Sequence, residues 1–255
     1  MDPEKFSEIA LQQRTINNPL GLETIDRIIA LCDPPPGCSV LDVGCGKGAL
    51  LVRLAEGREL RGEGIDLSRR AIETARARAQ QFPLRGRLRF VCGDAGSLGP
   101  PAEPYFLAVC LGATQAFGGL RGALSSRSRW TRPGGWVVVG EGFWRRPPES
   151  EYLEVLGARP DELNDDLGNL RAGQALGLTL AAHWSSTEAE WDDFEDAYLE
   201  GIERYARANP DDPDVPEMLR RIRRWRDGYV RWGRNTLGFG VYAFRTNPSD
   251  PGPRT

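Results

Sequence analysis

Histidine is nearly absent: His183 is the only one in 255 residues. That excludes a multi-histidine metal centre and any mechanism needing two imidazoles. Cysteine occurs five times, at Cys32, Cys38, Cys45, Cys92 and Cys110, an odd count with no CxxC pair and no Cys/His cluster. The pattern reads as reduced thiols in a cytoplasmic protein, with no metal site. No apolar run approaches the roughly 20 residues that span a bilayer. The N-terminal stretch MDPEKFSEIALQQR lacks an apolar signal core. A basic excess is missing too. Lys and Arg number 33 against 36 Asp and Glu, a net charge of −3, which counts against a nucleic-acid binder. The 40% hydrophobic and 27% charged composition excludes a disordered or collagen-like chain. A chain of this mass can bury about 73% of its unfolded surface.

Short apolar runs and helical stretches alternate along the first part of the chain. Strands are expected at 39–43, 61–65, 87–92, 105–111 and 136–140. Several are continuously apolar, as strands buried on both faces are. Helices are expected at 49–56, 69–81 and 120–132. This alternation points to an α/β fold with a doubly wound, mostly parallel sheet. Residues 1–34 read as an N-terminal helical segment broken at Asn17-Asn18-Pro19, with Asn18 capping the second helix and Pro19 opening it. Pro133-Gly134-Gly135 reads as a tight turn feeding the fifth strand. Residues 142–178 read as irregular, 178–184 as a sixth strand, 188–208 and 215–232 as two helices, and 237–244 as a last strand. The polar tail, 246–255, is expected to fray.

The segment Val40-Leu-Asp-Val-Gly-Cys-Gly-Lys-Gly48 carries the most information. A buried strand runs into a glycine turn that opens a helix, so backbone can approach a ligand beside free helix N–H groups. A dinucleotide fits, since Gly44, Gly46 and Ala49 loosely satisfy GxGxxA. S-adenosylmethionine fits as well. Asp66, closing the second strand, can accept both ribose hydroxyls of either ligand. Asp94, in Val91-Cys-Gly-Asp94-Ala, can accept an adenine amino group. Asp42 lies two residues before Gly44, where a carboxylate would repel a pyrophosphate but suit an ammonium and a sulfonium. Asp42 also has a plainer reading, as an acceptor for loop N–H groups. Lys47 lies outside a GxxxxGK[ST] pattern and reads as a solvent-facing lysine.

With VLDVGCGKG, EGIDLS, VCGDA and RPGGWVVVGE in this order over residues 38–141, the chain resembles the class I S-adenosylmethionine-dependent methyltransferases, in a bacterial branch acting on small molecules. The resemblance implies a Rossmann-like, seven-stranded sheet whose last strand is antiparallel, with S-adenosylmethionine as cofactor. It also implies roles by position. Asp66 holds the ribose, Asp94 with Ala95 the adenine, and Asp42, Gly44 and Gly46 the methionine end. Leu67 and Leu111 complete the cofactor-binding set. The whole of 1–255 is then one methyltransferase domain, with 142–234 as cap insertions and a helical hairpin.

Acceptor chemistry is less constrained. Glu141 ends the fifth strand at the edge where ligands of open α/β sheets bind. Thr114 and Gln115 follow the fourth strand, and no [N/D]PP[Y/F] motif of base methylation occurs there. Glu141 and His183 are the candidate general bases, and His183 has the alternative of a hydrogen-bonded structural residue. In the two helices, Trp191, Phe194, Tyr198, Ile202 and Tyr205, and Val215, Met218, Leu219, Ile222, Trp225 and Tyr229, form two apolar stripes. Residues 188–217 carry a charge of −10 and 218–234 a charge of +6, so antiparallel arms can pair. Trp144, Tyr198, Tyr229 and Trp232 are expected to contact the substrate. The expectation is a cytoplasmic methyltransferase of a small-molecule substrate, transferring methyl in line to N, O or S, with no nucleic-acid or membrane partner. The alternatives are an S-adenosylmethionine-using enzyme that breaks another bond and a nicotinamide oxidoreductase.

Overall fold

Each expected strand forms, and the alternation closes into a single sheet. The computed structural model describes residues 3–83 and 85–248. Most of the tail expected to fray, 249–255, lies outside them. The strands are β1 (Cys38–Val43), β2 (Leu60–Asp66), β3 (Arg87–Cys92), β4 (Tyr105–Leu111), β5 (Thr131–Trp144), β6 (Thr179–Ser185) and β7 (Leu237–Arg245). Their spatial order is β3-β2-β1-β4-β5-β7-β6. The pairs β2–β3, β1–β2, β1–β4 and β4–β5 are parallel, and β6–β7 is antiparallel. Strand order reverses between β1 and β4, which places a ligand crevice at their carboxyl ends.

The chain divides into two compact units. The larger comprises residues 21–141, 167–185 and 239–255 and carries the sheet. Helices α2 (Leu22–Cys32), α3 (Ala49–Gly57), α4 (Arg69–Gln81), α5 (Leu120–Trp130) and most of α7 (Asp166–Gln174) belong to it. Leu41, Val43, Cys110, Val137, Val139, Tyr242 and Phe244 form its core with Leu120, Leu124 and Trp130. The smaller unit comprises 1–20, 142–166 and 186–238. It contains α1 (Pro3–Ala10), α6 (Ser150–Leu156), α8 (Glu188–Ala208), α9 (Val215–Gly228) and a π-turn, Tyr229–Gly233.

In the smaller unit α8 and α9 run antiparallel, as their pairing shows. Arg226 meets Asp196 at 2.5 Å and Arg234 meets Asp192 at 3.0 Å. Trp225 Nε1 donates to Glu195 at 2.9 Å, and Tyr229 donates to Asp192 at 2.8 Å. The complementary charges of the two arms thus set register. A capping box of Thr187 and Glu190 starts α8. Phe6, Ile9 and Ala10 of α1 pack on Ile202, Met218 and Ile222.

Four local expectations are corrected. Helix α2 starts at Leu22 behind Gly21, with no side-chain cap, not at Asn18-Pro19. The Pro19 carbonyl is instead taken by the Ser186 hydroxyl. Residues 142–178 hold two helices, α6 and α7. Helix α7 hides its pattern because its buried face is Asn169 and Gly173. Asn169 donates to the Tyr242 hydroxyl at 3.3 Å, and a Cβ on Gly173 would strike the Phe244 ring at 2.3 Å. Pro133-Gly134-Gly135 lies within β5, not before it. Tyr105 pairs with Thr131 and Leu107 with Trp136, so the extra residues bulge out. The second arm of the hairpin leaves α-geometry at Tyr229 for the π-turn.

Candidate functional site

At the switch point β1 passes into the glycine loop. Gly44, Gly46 and Gly48 all have positive φ, at 67°, 51° and 72°, which side chains disfavour. The amides of Gly44 and Cys45 donate to the Ile65 carbonyl at 2.8 and 3.1 Å, tying the loop to β2. Asp66 extends that tie. One of its oxygens accepts from the Gly46 amide at 2.8 Å and the other from the Ser68 amide at 2.9 Å. A carboxylate has about four lone-pair sites, so both oxygens keep acceptor capacity. Ser68 then caps α4 through the Ala71 amide. Leu67, between them, is 68% exposed, an unusual position for a leucine.

Asp42 is 4% exposed behind the loop. Burial raises its carboxyl to about 8, and the neighbouring Asp66 charge adds to the shift. Two acids therefore crowd one point, and a cation placed there would favour ionisation of Asp42. On the next strand end, Asp94 is exposed and caps the single 3-10 turn Ala95–Ser97 through the Gly96 amide at 2.8 Å. Ala95 is buried. The Gly93 amide donates to the Asp66 carbonyl at 2.9 Å, so the Asp66 and Asp94 ends are held in one register.

The turn after β4 meets the same loop, and β5 pairs beside it. A Cβ on Gly44 would lie 2.3 Å from the Ala113 Cβ. The Gly112 amide donates to the Gly140 carbonyl at 2.9 Å. Thr114, 3% exposed, begins a 3-10 turn and donates its hydroxyl hydrogen to Glu141 Oε2. Gln115 beside it is exposed, and Leu111 is half-buried. Asp42, Gly44, Gly46, Asp66, Leu67, Asp94, Ala95, Leu111, Thr114, Gln115 and Glu141 thus all lie at the carboxyl ends of β1 to β5 or in the turns that follow.

Of the remaining expected residues, one lies on β6 and four in the smaller unit. His183 is on β6, the outermost strand, with β5 and β7 between it and β4. At about 4.8 Å per strand the separation from β4 is about 14 Å. Its ring stacks on Tyr242 at 4.9 Å, and its Nε2 lies 3.3 Å from the Ser185 hydroxyl. Trp144, Tyr198, Tyr229 and Trp232 belong to the smaller unit. Trp144 Nε1 donates to the Pro160 carbonyl, and Tyr198 donates to Ser7. Tyr229 is 2% exposed, and Trp232 is half-buried 6.4 Å from the Tyr152 ring.

Sequence reasoning passed over Arg127, which is fully buried in the larger unit. A signal was present: Leu120, Ala123, Leu124 and Arg127 fall at i, i+3, i+4 and i+7, on the buried stripe of α5.

Comparison with known proteins extends this geometry. Residues 40–135 match a methyltransferase domain family. The chain is 30% identical to the uncharacterized protein YjhP of Escherichia coli K12, over 95% of this chain and 98% of that one. The solved structure of YjhP superposes with a TM-score of 0.88, covering 95% of this chain and 100% of that one. An S-adenosylmethionine-dependent methyltransferase of Geobacter sulfurreducens, solved with S-adenosylhomocysteine, is 29% identical with a TM-score of 0.87, covering 94% and 97%. A counterpart from Thiobacillus denitrificans, solved with the same ligand, is 28% identical with a TM-score of 0.88, covering 97% and 100%. The chain spans about half the length of the curated O-methyltransferases it also matches.

Proposed function

The chain belongs to the class I S-adenosylmethionine-dependent methyltransferases, and from that premise we propose that it methylates a nitrogen, oxygen or sulfur atom of a small metabolite whose acceptor atom carries a proton. Family membership sets aside the nicotinamide alternative. The observation that carries the proposal is the Thr114–Glu141 hydrogen bond at the ends of β4 and β5, against the loop that holds Gly44.

The residues present suit the cofactor. Gly44 and Gly46 let backbone approach its methionine end, and Asp42 beside Asp66 offers negative charge to an ammonium and a sulfonium. Asp66 keeps lone pairs for ribose hydroxyls. Asp94 has an oxygen left for the adenine amine, between exposed Leu67 and buried Ala95, with Leu111 at the neighbouring strand end. The bound cofactor supplies an electrophilic methyl group on a good leaving group. The protein's own task is then alignment and exclusion of water.

Glu141 accepts the acceptor's proton. Thr114 fixes one Glu141 oxygen through its hydroxyl. Gln115, exposed on the same turn, positions the acceptor's polar groups. His183, three strand spacings from β4, takes no part in the step. The test is incubation with S-adenosylmethionine and panels of phenols, amines and thiols, followed by mass spectrometry. One methylated product per S-adenosylhomocysteine released is expected from at least one panel. Glu141→Gln is expected to lower turnover about 100-fold or more, with S-adenosylhomocysteine affinity within twofold of wild type. Full activity of Glu141→Gln, or S-adenosylhomocysteine release with no methylated product, would contradict the proposal.

A further inference from the structure

Residues 69–89 carry seven arginines and one acid, Glu73, in a chain whose net charge is −3. In the smaller unit, Arg226 and Arg234 are matched by carboxylates across the hairpin. On and between α4 and β3, five are not. Among the described residues, Arg69, Arg76, Arg78, Arg85 and Arg87 make no salt bridge, while Arg89 reaches Glu63 at 3.2 Å.

The unmatched charge surrounds a cleft. Between α4 and the edge strand β3 lies a space of about 520 Å³ lined by Arg69, Glu73, Arg76 and Arg89. Ile72 and Phe90 lie beneath it, both buried. Arg76 donates to the Phe90 carbonyl at 2.6 Å, which pins its guanidinium against the strand edge and leaves other N–H groups to give. The volume falls within the range of small-molecule sites, about 300 to 1,000 Å³. Beyond the cleft, burial lowers the Lys47 ammonium, and Arg70 and Arg78 lower it further, so cations crowd that flank also. Cys92, at the cleft's end, is the register partner of Asp66. The cleft therefore adjoins the cofactor site and is built from other side chains.

We infer that the cleft between α4 and β3 is an anion-binding site for a small ligand bearing a phosphate group. Guanidinium forks match phosphate oxygens in pairs. Three of them against Glu73 and Glu63 leave a net positive charge, which the anionic oxygens of a phosphate group complement. The site lies outside the methyl-transfer machinery and does not depend on the acceptor proposed above.

The probe is tripolyphosphate, titrated calorimetrically into the full chain at constant ionic strength, with and without saturating S-adenosylhomocysteine. Saturable binding at one site is expected in both conditions. The double variant Arg69→Gln/Arg89→Gln is expected to weaken it at least tenfold. Arg76→Gln, made separately because that side chain also braces β3, is expected to do the same. Both variants should keep S-adenosylhomocysteine affinity within twofold, which shows that they fold. Binding that vanishes when ionic strength is matched, survives both variants, or is displaced by S-adenosylhomocysteine would overturn the site. So would oligothymidylate affinity that climbs with strand length past that of tripolyphosphate, since that marks a diffuse polyelectrolyte surface. Failure of S-adenosylhomocysteine to bind wild type would instead count against the cofactor assignment alone.

Discussion

The Arg127 guanidinium is 0% exposed, and none of its three nitrogens has a hydrogen-bond partner. Phe117 and Trp130 enclose it, with ring centroids 4.3 and 4.1 Å from its central carbon. Burial lowers its pKa to about 10. Two desolvated cation–π contacts contribute about 2 kcal/mol each, against several kcal/mol for burying the charge. The charge is therefore a net cost, and a hydrophobe of similar length should be at least as stable. Arg127→Met is expected to raise the thermal midpoint by a few degrees, since about 1 kcal/mol moves a domain of this size by 2–4 °C. A fall of more than about 5 °C in a melting scan would refute this balance. Asp42 gives the second prediction at this scale. Its carboxyl lies near 8 without ligand. A cationic ligand favours the ionised form, so binding at neutral pH should release a proton. Cofactor affinity should then rise from pH 6 to pH 8, and Asp42→Asn should flatten the profile. Calorimetry in buffers of different ionisation enthalpy measures the proton directly. No buffer dependence would place the cofactor's charge away from Asp42.

The helical hairpin holds a comparable buried acid. Glu195 is 3% exposed, and burial raises its carboxyl to about 7 despite the hydrogen bond from Trp225. In the unfolded chain it titrates near the ordinary glutamate value. Between those two values the folded state holds the proton and the unfolded state does not, so stability falls as pH rises through the window. Below about pH 4 the contribution is intact, and above about pH 7 it is lost. Glu195→Gln keeps an acceptor for Trp225 and removes the titration. It should raise the thermal midpoint at pH 8 and leave it unchanged at pH 4. Equal shifts at both pH values would mean that packing, not ionisation, governs the position. Element by element, the apolar runs and stripes made most of the fold legible. Helix 69–81 and strands 87–92 and 105–111 form with the expected bounds. Helix α7 was illegible because an asparagine and a glycine fill its core-facing positions, where periodicity needs apolar residues. The start of α2 was obscured by Pro19, whose carbonyl serves a distant hydroxyl.

Across the whole molecule, legibility follows the distance over which a site is assembled. The loop residues Asp42 to Gly48 are contiguous, Asp66 closes β2 and Asp94 caps the turn just after β3, so their positions were legible directly. The Thr114–Glu141 bond joins neighbouring strand ends, and strand order foretells the meeting though not the bond. The change of pattern after Glu141 falls where the larger unit's first segment ends. The phosphate cleft and Arg127 were missed because they depend on which face of α4 or α5 is covered. The central claim is that the loop and its strand-end acids bind the cofactor, and Asp66 tests it best. Calorimetric titration of S-adenosylhomocysteine into wild type and Asp66→Ala is the measurement. Wild type should bind at one site. The variant, with an unchanged circular dichroism spectrum, should lose about 2–3 kcal/mol, roughly 30- to 150-fold in affinity. No binding by wild type, or a variant within twofold of it, would contradict the assignment.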